Sequence, residues 1–332
     1  MIEHMDTYVN KLSLFQTQKA IKKLKDFFER QLAYELNLTR ISAPLFVQPE
    51  TGLNDNLNGT EKPVSFSVFN NNEVQIVQSL AKWKRMALYK YNIKEKAGIY
   101  TDMNAIRKDE EPDYIHSYYV DQWDWERVIG QSDRNELKLK EVVERIYKVL
   151  KITDEYIVDE FPVLSHKLPE TIFFISSQEL ENQYPDLTSK QREHEICKKY
   201  KAVFIFKIGK KLLSGKPHDG RSPDYDDWEL NGDILLYNPV SETAFELSSM
   251  GIRVDKESLL KQLEETNTLD RLNLEYHQAI VNDVLPLTIG GGIGQSRLCM
   301  YFLEKAHIGE VQSSVWPKSM IKECKEKNIH LL

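Results

Sequence analysis

Arg107, Asp233, Glu246 and the run Gly290-Gly-Gly-Ile-Gly-Gln-Ser-Arg297 are the residues here with something to offer a polyphosphate. Four glycines within five positions leave the backbone free to adopt φ > 0 and keep side chains away from a ligand. The stretch reads as a glycine turn, or as the glycine-studded end of a strand, feeding a helix that carries Arg297 on its first turn. A helix N-terminus and a guanidinium both favour anions. The glycine spacing fits neither the dinucleotide fingerprint nor the P-loop, and no Gly-Lys-Ser/Thr follows. A plain glycine loop allowing tight helix–strand packing explains the same residues.

Period-two alternation from Tyr114 to Ile129 places Tyr118, Val120, Gln122, Asp124 and Glu126 on one face of a long strand. Tyr119, Asp121, Trp123 and Trp125 take the other. An amide and two carboxylates in succession beside so many aromatics suggest a polar cleft over a sheet; a solvated sheet face is the plain alternative. In the strand Thr243–Val254, Ala244, Glu246 and Ser248 point one way while Phe245 and Leu247 point into a core. Asp233 begins the neighbouring strand, so Asp233 and Glu246 can converge on one cation, and oxygen ligands of this kind suit magnesium beside phosphate. Arg107 closes a strand just before the acidic turn Asp109–Asp113. It can clamp a phosphate or carboxylate, or pair with the turn. Lys82 and Lys84 sit on an amphipathic helix, where a solvated basic face is the default. His116 is the one histidine inside a candidate site, and no Ser/His/Asp or Cys/His triad assembles.

The elements that must position these groups are readable in outline. Helices are expected from Leu12 to Leu36, from Ser79 (as N-cap) to Tyr89, from Asn135 to Glu160, Ser189–Tyr200, Lys256–Glu265 and Arg271–Asn282. Strands are expected at Thr39–Val47, in a hairpin of Val64–Phe69 with Val74–Val77, and at Ala97–Arg107, Ile172–Ile175, Val203–Ile208 and Asp233–Tyr237. Polar loops are expected at Gly52–Gly59 and Ser214–Asn231. Strands cluster in adjacent pairs rather than alternating with helices. That predicts an α+β fold around a mainly antiparallel sheet flanked by helices, as a single domain over residues 1–332.

Composition bounds the function. Of 332 residues, 41% are hydrophobic and 29% charged, as in a soluble globular protein, and no apolar run is long enough to cross a membrane. A formal charge of −7 argues against non-specific nucleic-acid binding. Cys197, Cys299 and Cys324 lack metal-ligand spacing and point to a reducing cytoplasm.

The separated motifs also join into a resemblance. Ala105-Ile-Arg107-Lys-Asp-Glu110 through Asp121-Gln-Trp-Asp-Trp-Glu126 resembles motif 2 of class II aminoacyl-tRNA synthetases, nearest the aspartate and asparagine enzymes. Asn231–Leu236 and Ala244–Arg253 resemble their magnesium-bearing strands, and Gly290–Arg297 their motif 3. Ser79–Arg85, Val120–Arg127, Pro223–Trp228 and Phe245–Val254 look like signatures of a smaller relative, the ammonia-dependent asparagine synthetases.

That resemblance implies a class II synthetase-like catalytic core that joins L-aspartate and ammonia using ATP and Mg2+, through a β-aspartyl adenylate. It implies Arg107 on the α-phosphate and magnesium on Asp233 and Glu246. Arg297 would reach the outer phosphates or flank the adenine, Glu110 would read the adenine amino group, and His116, Gly292 and Gly294 would complete the ATP site. Lys84 and Arg221 would take the carboxylates of aspartate, with Asp55, Ser79, Gln122, Asp124 and Ser248 around its ammonium and reacting end. Asp226 is the candidate to bind ammonium and accept its proton. A cytoplasmic homodimer without nucleic-acid partner is implied as well. Ile2 leaves no N-terminal cysteine nucleophile, and the chain starts directly on a helix, without the β-barrel that reads the anticodon in tRNA-charging relatives.

Overall fold

A computed structural model describes residues 8–55 and 61–332. Ile2 and the Asn56–Gly59 part of the expected polar loop lie outside the described residues. Eleven strands are assigned among the rest: β1 (Leu38–Arg40), β2 (Phe46–Val47), β3 (Ser65–Val68), β4 (Asn72–Ile76), β5 (Gly98–Ile106), β6 (Tyr119–Val128), β7 (Phe173–Ser176), β8 (Ala202–Phe206), β9 (Asp226–Asn238), β10 (Thr243–Arg253) and β11 (Thr288–Gly294). Eight form one sheet in the order β1-β5-β6-β11-β10-β9-β8-β7, and β2-β4-β3 form a small second sheet. Only the outer joins β1–β5 and β8–β7 are parallel; every inner join is antiparallel. The sheet is therefore mixed at its edges.

One face of the large sheet is covered by three helices, α1 (Leu14–Leu36), α3 (Glu136–Glu160) and α8 (Gln295–Phe302). α1 opens on a capping box between Ser13 and Gln16 and buries Ala20, Leu24, Phe28, Leu32 and Leu36, four residues apart on a single stripe. It ends where Asn37 turns left-handed at φ 56°. The stripe meets Trp123 and Trp125 of β6, Phe245 and Leu247 of β10, and Ile289 and Ile293 of β11 in the main core. On the opposite face, α4 (Ser177–Gln183) and α5 (Ser189–Tyr200) cover the β7–β8–β9 end. Helices α2 (Ala81–Lys90), α6 (Lys256–Glu265) and α7 (Glu275–Val281) flank the centre. A last helix, α9 (Lys318–Glu326), follows at the C-terminal end. The middle strands β6, β11, β10 and β9 are left with an open polar floor.

Several boundaries move. β9 begins at Asp226 rather than Asp233, so the Ser214–Asn231 loop shortens and Asp226 becomes a strand residue. The N-cap of α2 is Leu80; the Ser79 hydroxyl lies one residue earlier and accepts from the Ala81 amide at 3.1 Å. Arg271–Asn282 divides into a 3-10 turn (Leu269–Asn273) and α7.

Candidate functional site

Above that floor lies a cavity of about 330 Å³, and every residue to which the resemblance gives a role except Asp233 lines it. β6 contributes Gln122 and Asp124, and the connection from β5 contributes Arg107, Glu110 and His116. Asp55, Ser79 and Lys84 come from one flank and Arg221 and Asp226 from the other. Glu246 and Ser248 rise from β10, and Gly292, Gly294 and Arg297 from β11 and the start of α8. Asp233 stands behind Arg221, whose Nη2 donates to Asp233 Oδ2.

The glycine run is strand, not turn. None of Gly290 to Gly294 has positive φ, so the conformational freedom expected of them is unused. What matters is the absent Cβ. Ile289 and Ile293 fill the core face of β11, and Gly290 and Gly292 lie on the cavity face. A Cβ on Gly290 would stand 2.0 Å from Glu126 Oε2, and one on Gly292 would stand 2.4 Å from Gln122 Oε1. The N-terminus of α8 is not open to a phosphate either. Asp121 already takes the Ser296 amide at 3.1 Å and its hydroxyl at 2.8 Å.

One end of the cavity is a buried network of charge. Lys84, 1% exposed, donates to the Gly291 carbonyl at 3.0 Å and pairs with Asp124 Oδ2 at 3.0 Å. Lys82 is buried too, so the solvated basic face expected for α2 does not exist. Burial pulls Lys84 below the ordinary lysine value although Asp124 and Glu126 oppose it. Arg253 grips Glu126 with two nitrogens, Nε to Oε1 at 2.8 Å and Nη2 to Oε2 at 2.6 Å, and its Nη1 donates to Asp226 Oδ1. Thr288 completes Glu126 at 2.7 Å. Burial raises Asp226 above the usual carboxylate range, Arg253 only partly offsetting it. Glu126, which burial would raise, is held below that range by Arg253, Lys84 and Thr288 together.

The other end gathers guanidinium groups. Arg297 Nη1 donates to the Glu246 carbonyl at 2.8 Å and stands 3.9 Å from its carboxylate. Burial, reinforced by Glu246 and resisted by Arg221, pushes Asp233 up to about 6. Arg107 makes no ion pair with the acidic turn among the described residues; its Nε is buried without a partner. His116 is turned toward Asp113, its Nδ1 2.9 Å from Oδ2, at the cavity rim.

Arg253 is the cavity residue that sequence alternation misses. A bulge in β10 shifts register between Glu246, opposite Leu235, and Ser248, opposite Ile234. Phe245 before it and Leu247 within it face the core; after it Met250 and Ile252 do. Ser249, Gly251 and Arg253 are thereby brought to the cavity side, where strict alternation from Glu246 would bury Arg253 in the core. The signal available in the sequence was the apolar pattern itself, which changes phase across Leu247-Ser-Ser-Met250.

Arg107 Nε, Asp124 Oδ1, Arg221 Nε, Asp233 Oδ1 and Ser248 Oγ are all buried without a hydrogen-bond partner among the described residues. Each such group costs about 1–3 kcal/mol. Five in one place mark a site built for a polar, charged ligand.

Fold and floor define the class. The structure aligns with asparaginyl-tRNA synthetase from Pyrococcus horikoshii, solved with asparaginyl-adenylate, at TM-score 0.65 and 15% identity, over 91% of this chain and 70% of that one. Aspartyl-tRNA synthetase from Entamoeba histolytica aligns at TM-score 0.58 and 16% identity over 89% of this chain and 58% of that one. The architecture is thus that of the class II aminoacyl-tRNA synthetase catalytic core. Residues 15–328 match the AsnA family model, aspartate-ammonia ligase. Aspartate–ammonia ligases of Fusobacterium nucleatum (98% of this chain, 99% of that one) and Clostridium tetani (98% and 96%) are each 62% identical to it. The chain belongs to the aspartate–ammonia ligase family.

Proposed function

We propose that this chain converts L-aspartate and ammonia to L-asparagine, cleaving ATP to AMP and pyrophosphate. The observation that carries the reading is the convergence of unpartnered buried groups with Arg107, Arg221 and Lys84 on one cavity. It suits a substrate pair bearing two carboxylates and a triphosphate.

In the first step an oxygen of the aspartate side-chain carboxylate would attack the α-phosphorus, and the bond to pyrophosphate would break. Arg107, with an uncommitted Nε, would stabilise charge on the α-phosphate, and Arg297 would serve the outer phosphates or the adenine. Lys84 and Arg221 would hold the two carboxylates of aspartate. Asp124 Oδ1 and Ser248 Oγ would receive its ammonium and reacting end, alongside Gln122, Ser79 and Asp55. Glu110 and His116 at the rim would meet the base, over the side-chain-free floor of Gly292 and Gly294. In the second step ammonia nitrogen would attack the acyl carbon and AMP would leave. Its surplus proton would go to Asp226, whose raised affinity for protons suits a base.

Asp233 and Glu246 fit a magnesium ion. Both are oxygen donors, Asp233 Oδ1 has no partner, and two carboxylates leave room for phosphate oxygens and water. Such an ion would neutralise phosphate charge. Further parts of the reading are a single catalytic domain, a cytoplasmic setting, no nucleic-acid partner, and a homodimer. No helix among the described residues is long and apolar enough to cross a membrane. Exposed Phe46, Phe66 and Phe69 around the small sheet support a second copy.

The deciding experiment incubates the protein with aspartate, ATP and Mg2+, without tRNA, and with ammonium, glutamine or no nitrogen donor. Asparagine and AMP should appear with ammonium. ATP–pyrophosphate exchange without asparagine would instead indicate a tRNA-charging enzyme, and binding without pyrophosphate release a non-catalytic relative. Arg107→Ala should abolish exchange while leaving the circular-dichroism spectrum unchanged; wild-type exchange by that variant would remove Arg107 from the mechanism.

A further inference from the structure

Between the cavity residues Arg221 and Asp226, the side chain of Asp224 points away from the cavity and is fully buried. Three cationic or protonatable groups from different elements meet on its Oδ2. Lys82 Nζ of α2 lies at 3.0 Å, Arg271 Nη1 of the 3-10 turn at 2.8 Å, and His277 Nε2 of α7 at 2.9 Å. Ser222 Oγ donates to Oδ1 at 2.8 Å. Gln262 of α6 fastens the same segment, its Nε2 donating to the Pro223 carbonyl at 2.9 Å and the Asp226 carbonyl at 3.0 Å.

A buried carboxylate with this many donors is costly to desolvate, so its placement calls for a use. The two chain segments it joins supply one. On α2, Lys82 faces Asp224 and Lys84 faces the cavity; on the segment leading into β9, Asp224 faces Lys82 while Arg221, Tyr225 and the first strand residue, Asp226, face the cavity. The Lys82–Asp224 pair therefore ties the backbone carrying Lys84 to the backbone carrying Arg221. Those are the two cations assigned above to the two carboxylates of aspartate.

We infer that Asp224 is a positioning residue that, through Lys82, sets the spacing of Lys84 and Arg221 and so the affinity for aspartate. The inference rests on the aspartate-binding roles proposed above. Arg271 and His277 supply charge and rigidity from segments that place no side chain in the cavity.

Steady-state kinetics on purified variants test this. Asp224→Asn and Lys82→Gln should raise the KM for aspartate roughly ten- to a hundredfold, as expected for misplaced binding groups, with little change in the KM for ATP. Lys82→Arg, which keeps charge and donors, should recover most of the loss, and Arg271→Gln should leave the aspartate KM near wild type. If Asp224→Asn does not fold, the Lys82 pair decides. A folded Lys82→Gln with wild-type aspartate KM would overturn the inference, and so would equal losses in Arg271→Gln. Calorimetric binding of aspartate keeps the two readings apart. A wild type that binds aspartate but forms no asparagine sinks the reaction, while the affinity of Lys82→Gln relative to it still decides the positioning role.

Discussion

Gly290 and Gly292 share the face of β11 turned away from the main core, yet a methyl group at each meets a different resistance. At position 290 it would strike Glu126 Oε2 at 2.0 Å and Arg253 Nη2 at 2.7 Å, both fixed in a buried ion pair. Gly290→Ala should therefore lose stability by about 1–3 kcal/mol or more, along with activity, as read by urea unfolding. At position 292 the methyl meets the movable tip of Gln122 and, at 2.9 Å, Asp124 Oδ1, so Gly292→Ala should lose aspartate affinity but less stability than Gly290→Ala. A stable, fully active Gly290→Ala would show that the floor tolerates side chains. Residue types made much of this site legible: Arg107, Asp124, Lys84 and Glu246 are charged groups at positions where strand or helix periodicity gives them a face. Burial was less legible, because Lys82 and Lys84 look like a solvated face until the carboxylates that meet them across the fold are known.

Among the elements, the short turn Ile308–Glu310 offers a pH test. His307 caps it, its Nδ1 accepting from the Gly309 amide at 2.9 Å, which requires that nitrogen to be unprotonated. Burial lowers His307 to about 4, outweighing the pull of Asp113 and Glu323. Unfolded, it would titrate near the ordinary value of about 6.5. The unfolded chain therefore binds the extra proton first, and stability should fall as pH drops from about 6.5 to 4, by on the order of 3 kcal/mol. His307→Asn keeps a capping acceptor and removes the titration, so its unfolding free energy should vary less over that window; an unchanged slope would exclude His307 as the source. Element types were mostly readable, since α1, α3, α5 and β6 carry clean periodicity. The bulge in β10 was not: register depends on β9 and β11, partners that alternation within one strand cannot see.

At the scale of the whole molecule, the α+β layout followed from strands clustered in pairs, and the parallel edges did not, because β1 and β7 are too short to show a pattern. The exposed aromatic side chains of the small sheet should make the protein sediment as a dimer, and Phe69→Asp should shift it toward monomer in analytical ultracentrifugation. A wild-type monomer at micromolar concentration would rule the dimer out. The sheet order carries a kinetic consequence. β11 lies between β6 and β10, and Gly292 is paired with Asp124, a partner roughly half the chain away. Closing so long a loop is entropically unfavourable until β11 has docked, and sheets dominated by such distant pairings fold slowly. A nascent chain can complete α1 and the β5–β6 hairpin early. The cavity floor forms only after residues near 294 have been made, so catalytic competence is among the last properties the folding chain acquires.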